Sequence, residues 1–138
     1  MSASPHPSPV YGAPQRSAVV SGPLGGVVLC ALAFAVARFV RYRIVEPEAM
    51  GAACETDGPA WCPWRTGLVQ FTEASGFGWL ALAAAAAALA ATIAGKSATA
   101  RTAAFLALAA GGFGMVLYNA TPSAPAVILA LVCLAWRR

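Results

Sequence analysis

Four apolar stretches, separated by one long polar segment and two short turns, set the pattern of the chain. The first runs from Val19 to Val40 (VVSGPLGGVVLCALAFAVARFV), the second from Phe77 to Ala94, the third from about Arg101 to Tyr118, and the fourth from the turn Asn119–Pro125 to Trp136. None shows the two-residue alternation of a half-buried strand, so helices are predicted and a barrel is not. Alanine at 81, 83–88, 90 and 91 agrees, because it is the strongest helix former. Pro23 suits a first helical turn, where its missing N–H costs nothing. From there Val40 lies about 27 Å along the axis, the thickness of a bilayer's hydrocarbon core.

The predicted fold is therefore an all-α membrane protein, a bundle of four transmembrane helices over about 21–41, 77–94, 101–118 and 122–136. The second and third connections are short, so neighbouring helices should run antiparallel. The fourth span is the shortest. Thr121 to Arg138 reaches about 27 Å when all of it is helical, with the terminal arginines snorkelling. Thr121 or Ser123 is expected to cap that helix, and Pro122 or Pro125 to open it.

Outside the spans the character changes. Residues 1–18 hold four prolines and no apolar period, so they read as a disordered cytoplasmic tail ahead of a membrane domain over 19–138. Residues 44–75 form an outer loop of about 30 residues, the one sizeable polar stretch. Within it, from Pro63, Trp64, Leu68 and Phe71 fall at helical spacing, which predicts an interfacial amphipathic helix feeding the second span. Trp61, Trp64 and Trp79 at the outer end and Trp136 at the inner end would form aromatic belts.

Composition narrows the class. The chain has 138 residues, 59% of them hydrophobic and 10% charged. A soluble domain carries roughly a quarter charged residues, which excludes a water-soluble globule. The net charge of +4 reads as a topology signal beside apolar spans, not as a nucleic-acid footprint. With four spans, Arg16, Lys96, Arg101, Arg137 and Arg138 collect on one side with no acid. Glu46, Glu48, Glu55, Asp57 and Glu73 collect on the other, with Arg38, Arg41, Arg43 and Arg65. Five basic residues against four favour both termini in the cytoplasm, in a bacterial inner (plasma) membrane. A competing reading takes Ala35-Val36-Ala37 as a signal-peptidase site, leaving three spans.

Of four cysteines, Cys30 and Cys133 fall within spans and read as small packing residues. Cys54 and Cys62 lie in the outer loop around the turn-forming Asp57-Gly58-Pro59, which should bring them together as a disulfide in an oxidising compartment. A redox-active pair and free thiols are the alternatives. Arg38, Arg41 and Tyr42 share a helical face near the outer interface. With Arg65, Tyr118 and Asn119 they make a candidate anion or lipid-phosphate site. The competing reading is snorkelling, with these arginines paired to Glu46, Glu48 or Glu73, Tyr118 interfacial and Asn119 a helix C-cap.

His6, in the tail, is the sole histidine, and the chain contains no phosphate-binding loop, nucleophile elbow or metal-spaced cluster. No catalytic residue, metal or cofactor is expected. The families of similar size differ at their working residues. Disulfide-generating and vitamin K epoxide reductase-type enzymes use Cys-x-x-Cys, small multidrug exporters a glutamate in the first helix, and membrane phosphatases histidines. The expected role is a non-enzymatic accessory or scaffold subunit whose partners are the bilayer and other membrane subunits or a second copy. An outer-leaflet phosphate or small-anion binder is the first alternative, a thiol–disulfide redox protein the second. Small-xxx-small patterns at Gly22/Gly26, Ala107/Gly111 and Ala110/Gly114 predict close helix packing.

Overall fold

The computed structural model describes residues 22–56 and 58–136. The proline-rich tail with His6 and Arg16, Asp57, and Arg137 and Arg138 lie outside the described residues. Helix α1 (Pro23–Val40) continues through one π-helical turn (Arg41–Val45). Then come α2 (Glu48–Thr56), α3 (Cys62–Glu73), α4 (Gly76–Ile93), α5 (Ser97–Val116) and α6 (Ala120–Trp136), with no strand among the described residues. Three segments are long and apolar enough to cross a membrane: Pro23–Val45, Gly76–Ile93 and Ser97–Val116, with mean hydropathies of 2.0, 1.8 and 1.3. The apolar α6 is shorter, at 17 residues.

Helix α5 is the centre of the assembly. It packs against α4, α6 and α1, and α4 also packs against α6. The seam is built mostly from small residues at helical spacing. Ala81, Ala85 and Ala88 of α4, Ala104, Ala107 and Leu108 of α5, and Ala126 and Ala130 of α6 have no exposed surface. Small side chains let helix axes approach and gain dispersion contacts, which is how helices associate where the surroundings are already apolar. Glycines stand where the helices cross closely, and two of them show how little room is left. A Cβ on Gly112 would lie 2.8 Å from the Cys30 carbonyl oxygen of α1, and one on Gly78 would strike the Pro122 ring of α6.

The helix ends follow from backbone bookkeeping. The α4 end turns left-handed at Gly95 (φ 72°), and the Lys96 N–H donates back to the Ala91 carbonyl at 2.9 Å. The α5 end repeats this arrangement, with the Asn119 N–H donating to the Gly114 carbonyl at 2.8 Å, but Tyr118 (φ 61°) takes the left-handed position. This is the Schellman closure usually given to glycine. A side chain there costs about 1–2 kcal/mol.

Several boundaries differ from the sequence expectation. Helix α5 begins at Ser97, so Arg101 lies within it, because nothing in Ser97-Ala-Thr-Ala, between the Gly95 turn and Arg101, breaks a helix. Helix α6 begins at Ala120 with Pro122 in its first turn and Pro125 inside it. Neither Thr121 nor Ser123 stands ahead of it as a cap, and Ser123 is fully buried on the face toward α5. The polar segment holds α2 as well as α3, the helix expected from Pro63.

Candidate functional site

The polar side chains gather where the π-helical turn, α2 and α3 form a cap beside the C-terminal end of α5. The cap is closed locally by Cys54 and Cys62, whose Sγ atoms are at disulfide distance, 2.05 Å. Gly58 sits inside this closure, its Cα region facing the Cys54 carbonyl and the Cys62 side chain.

The π-helical turn aims the arginines. Five residues along an α-helix turn about 140° away from the starting face. A π turn bonds residue to residue at that spacing, and the Glu46 N–H reaches the Arg41 carbonyl at 2.9 Å. The side chains of the same two residues then meet: Arg41 Nε donates to Glu46 Oε1 at 2.7 Å. Arg41 Nη1 donates to the Val116 carbonyl at 2.9 Å, one of the acceptors that the end of α5 leaves without an intrahelical partner. Its guanidinium lies 4.2 Å from the centre of the Tyr118 ring, and Tyr118 Oη donates to Glu46 Oε1 at 2.9 Å. Arg41, Glu46 and Tyr118 therefore form one closed cluster joining α1 to the end of α5. The hydrogen bond from Arg41 and then that from Tyr118 hold the Glu46 carboxyl below its ordinary pKa. The bond to Glu46, chiefly, raises the Tyr118 phenol above its own.

Arg65 of α3 serves the other side of the turn. Its Nε and Nη2 donate to the carbonyls of Ile44 and Val45, both at 3.0 Å. The planar fork thus ties two adjacent carbonyls at the end of the π turn to α3. Asn119 is buried, and its Nδ2 donates to the Thr72 carbonyl at 2.9 Å and to the Leu117 carbonyl. That joins α3 to the α5–α6 turn. Asn119 Oδ1 and Ser123 Oγ have no partner among the described residues.

Arg38 is different from the other two arginines. It is exposed, its guanidinium is 5.5 Å from the centre of the Tyr42 ring, and no carboxylate among the described residues pairs with it. Of the candidate anion-site residues, Arg41 and Tyr118 meet at the end of α5, Asn119 bonds to the Thr72 and Leu117 carbonyls, Arg65 bonds to those of Ile44 and Val45, and Arg38 remains apart. Two features were not singled out in the sequence. One is Glu46 as the shared acceptor of Arg41 and Tyr118. The other is an apolar groove of about 350 Å³ between α1, α5 and α6, lined by Val27, Ala31, Phe34, Met115, Val127 and Leu131. The thiol of Cys30 also borders it. The spacing of Val27, Ala31 and Phe34 on one face of α1 was the available signal for that groove.

With both cap cysteines joined, the free thiols among the described residues are Cys30 and Cys133, both in apolar helices. No three histidine, cysteine or acidic side chains among the described residues come close enough to hold a metal ion. The cluster geometry suits docking of one helix end on another, with a carboxylate satisfied by two donors. Compared with family models, curated proteins and solved structures, the chain shows no significant match to any of them.

Proposed function

We propose that the chain is a multi-pass integral membrane protein of non-enzymatic character, an accessory or scaffold subunit. In this reading α1, α4, α5 and α6 all cross the bilayer, both termini face the cytoplasm, and the disulfide-closed cap lies outside. The carrying observation is the outward apolar surface. Leu24, Val28, Leu32 and Phe39 of α1, Leu80 and Ile93 of α4, Leu106 of α5, and Ile128 and Val132 of α6 are all exposed. Spread around the whole assembly, such a surface is suited to lipid or to partner helices and not to water. Cys54–Cys62 reads as a structural staple of the cap. Trp61 just ahead of α3, Trp64 within it and Trp79 of α4 are exposed near it, at the depth that indole rings prefer.

Reporter fusions test the topology. Fusions after Lys96 and after Arg138 should report cytoplasm, and one at Gly58 should report the exterior. A cytoplasmic report at Gly58 overturns the arrangement. Purification in mild detergent tests the role: a stoichiometric membrane partner supports a scaffold, and turnover of a substrate by the purified chain alone removes it.

A second reading, binding of a phosphate-bearing lipid or small anion, draws support from Arg38, which is exposed and without a carboxylate partner. Lysine in its place keeps the charge but not the planar fork. Equal retention of anionic lipid by wild type and Arg38→Lys would count against bidentate binding there.

A further inference from the structure

The geometry points to a binding site for one anionic phospholipid, its acyl chain in the groove between α1, α5 and α6 and its phosphate on Arg38. The proposal rests on the reading of the chain as membrane-embedded and adds a specific occupant to it.

Three observations converge. Val27, Ala31, Phe34 and Arg38 follow one another at spacings of four, three and four, which keeps them within about 60° on one face of α1. The first three line the groove, so Arg38 stands at its upper end, about 6 Å beyond Phe34 along the axis. The groove is apolar along its length and opens to the surface where lipid lies. Its walls come from three helices, and Val27 to Phe34 covers about 10 Å of α1, a run suited to a chain laid along the helix. Charge then selects the head group. Arg41 is occupied by Glu46 and the Val116 carbonyl, and Arg65 by two backbone carbonyls. Arg38 alone of the three keeps its donors free among the described residues, steadied by the Tyr42 ring. A guanidinium on a long apolar stem at the membrane boundary meets a phosphate bidentately. A second copy of the chain or an apolar partner helix would fill the groove equally well. The lipid is favoured because one molecule supplies both the apolar chain that the groove takes and the phosphate that Arg38 takes.

The test is native mass spectrometry of the full chain in mild detergent, titrated separately with phosphatidylglycerol, a diacylglycerol and inorganic phosphate. Phosphatidylglycerol should bind one to one, at least about tenfold more tightly than either the uncharged diacylglycerol or free phosphate. Arg38→Gln and Ala31→Phe should each weaken it by about that factor, the first by removing the charge-assisted bond and the second by filling the groove. Arg43→Gln should leave it unchanged. Both test positions are exposed, and an unchanged unfolding temperature checks that each variant folds.

Cys30 provides a second readout that needs no groove variant. Saturating phosphatidylglycerol should slow its alkylation by a maleimide in wild type and not in Arg38→Gln. Equal binding of diacylglycerol, undiminished binding by Ala31→Phe, or Cys30 alkylation indifferent to lipid overturns the site. A dimer that Ala31→Phe dissociates assigns the groove to a second copy and overturns it as well. None of these outcomes bears on the membrane reading, which fails separately if the chain is monodisperse without detergent.

Discussion

The two halves of this molecule are held together by different chemistry. In the α4–α5–α6 unit, half of α5's apolar stretch is buried inside the protein, against 17% of α1's. The three-helix unit is joined by alanine and glycine seams with almost no polar contact. Helix α1 with its cap is joined through one narrow strip, Gly26, Ala33 and Ala37, and through hydrogen bonds at one end. Close packing is short-ranged and unforgiving. Polar docking is local and answers to pH and redox conditions. The difference implies that damage to one half should spread and damage to the other should stay local.

The sharpest test of that contrast is overpacking. Gly78→Leu would force α4 away from the Pro122 ring, and the cost should be about 3 kcal/mol, the upper range for an overfilled seam. Thermal unfolding in detergent should show the whole three-helix unit destabilised. Next comes the staple. Closing nine residues, Cys54 to Cys62, is worth about 2.5 kcal/mol in the chain-entropy model. Cys54→Ser should free the cap to exchange its amide hydrogens while α4, α5 and α6 keep their protection. Loss of protection in α5 would mean that the two halves are a single cooperative unit.

A third test uses acid. Glu46 has its pKa lowered by Arg41 and Tyr118, so its contribution is present above the ordinary glutamate value, about 4.3. It is lost as pH falls through the lower folded value. Tyr118 has its pKa raised, so its contribution is present below the ordinary phenol value, about 10. It is lost as pH rises through the higher folded value. Docking of the cap should therefore be flat between those limits and weaken on either side, and Glu46→Gln should abolish the acid limb. The smallest effect is a gain. Gly67 lies in α3 with open space around it, so Gly67→Ala should stabilise the cap by about 0.8 kcal/mol through helix propensity alone. The same exchange at Gly112, facing the Cys30 carbonyl, should be destabilising.

The contrast also marks what could be read from the sequence. The apolar helices were legible because hydropathy and alanine content are properties of the local chain. So was a helix from Pro63, through the spacing of Trp64, Leu68 and Phe71. The pairing of Cys54 with Cys62 was legible because the turn between them is short. The polar cluster was not. Arg41 and Glu46 meet because the backbone makes one π turn, which no residue pattern announces. Arg41 and Tyr118 meet across 77 positions of sequence. Spacing placed Arg38 and Arg41 on one face but said nothing of which would find a carboxylate. The type and position of Asn119 suit a polar pocket with Arg38 or a helix cap. Its side chain instead crosses to the Thr72 carbonyl, a contact that exists only once α3 has docked.

The narrow strip on α1 bears on the order in which the chain is built. Helix α1 leaves the ribosome before the surfaces that receive it, Gly112 on α5 and Leu131 and Leu134 on α6 around Gly26, have been made. In a membrane α1 must therefore be stable by itself in lipid and wait for α5 and α6. A continuous apolar circumference serves that interval well, since each helix can insert before any helix pairs. What in the finished protein looks like weak attachment is, during synthesis, the capacity of α1 to exist alone.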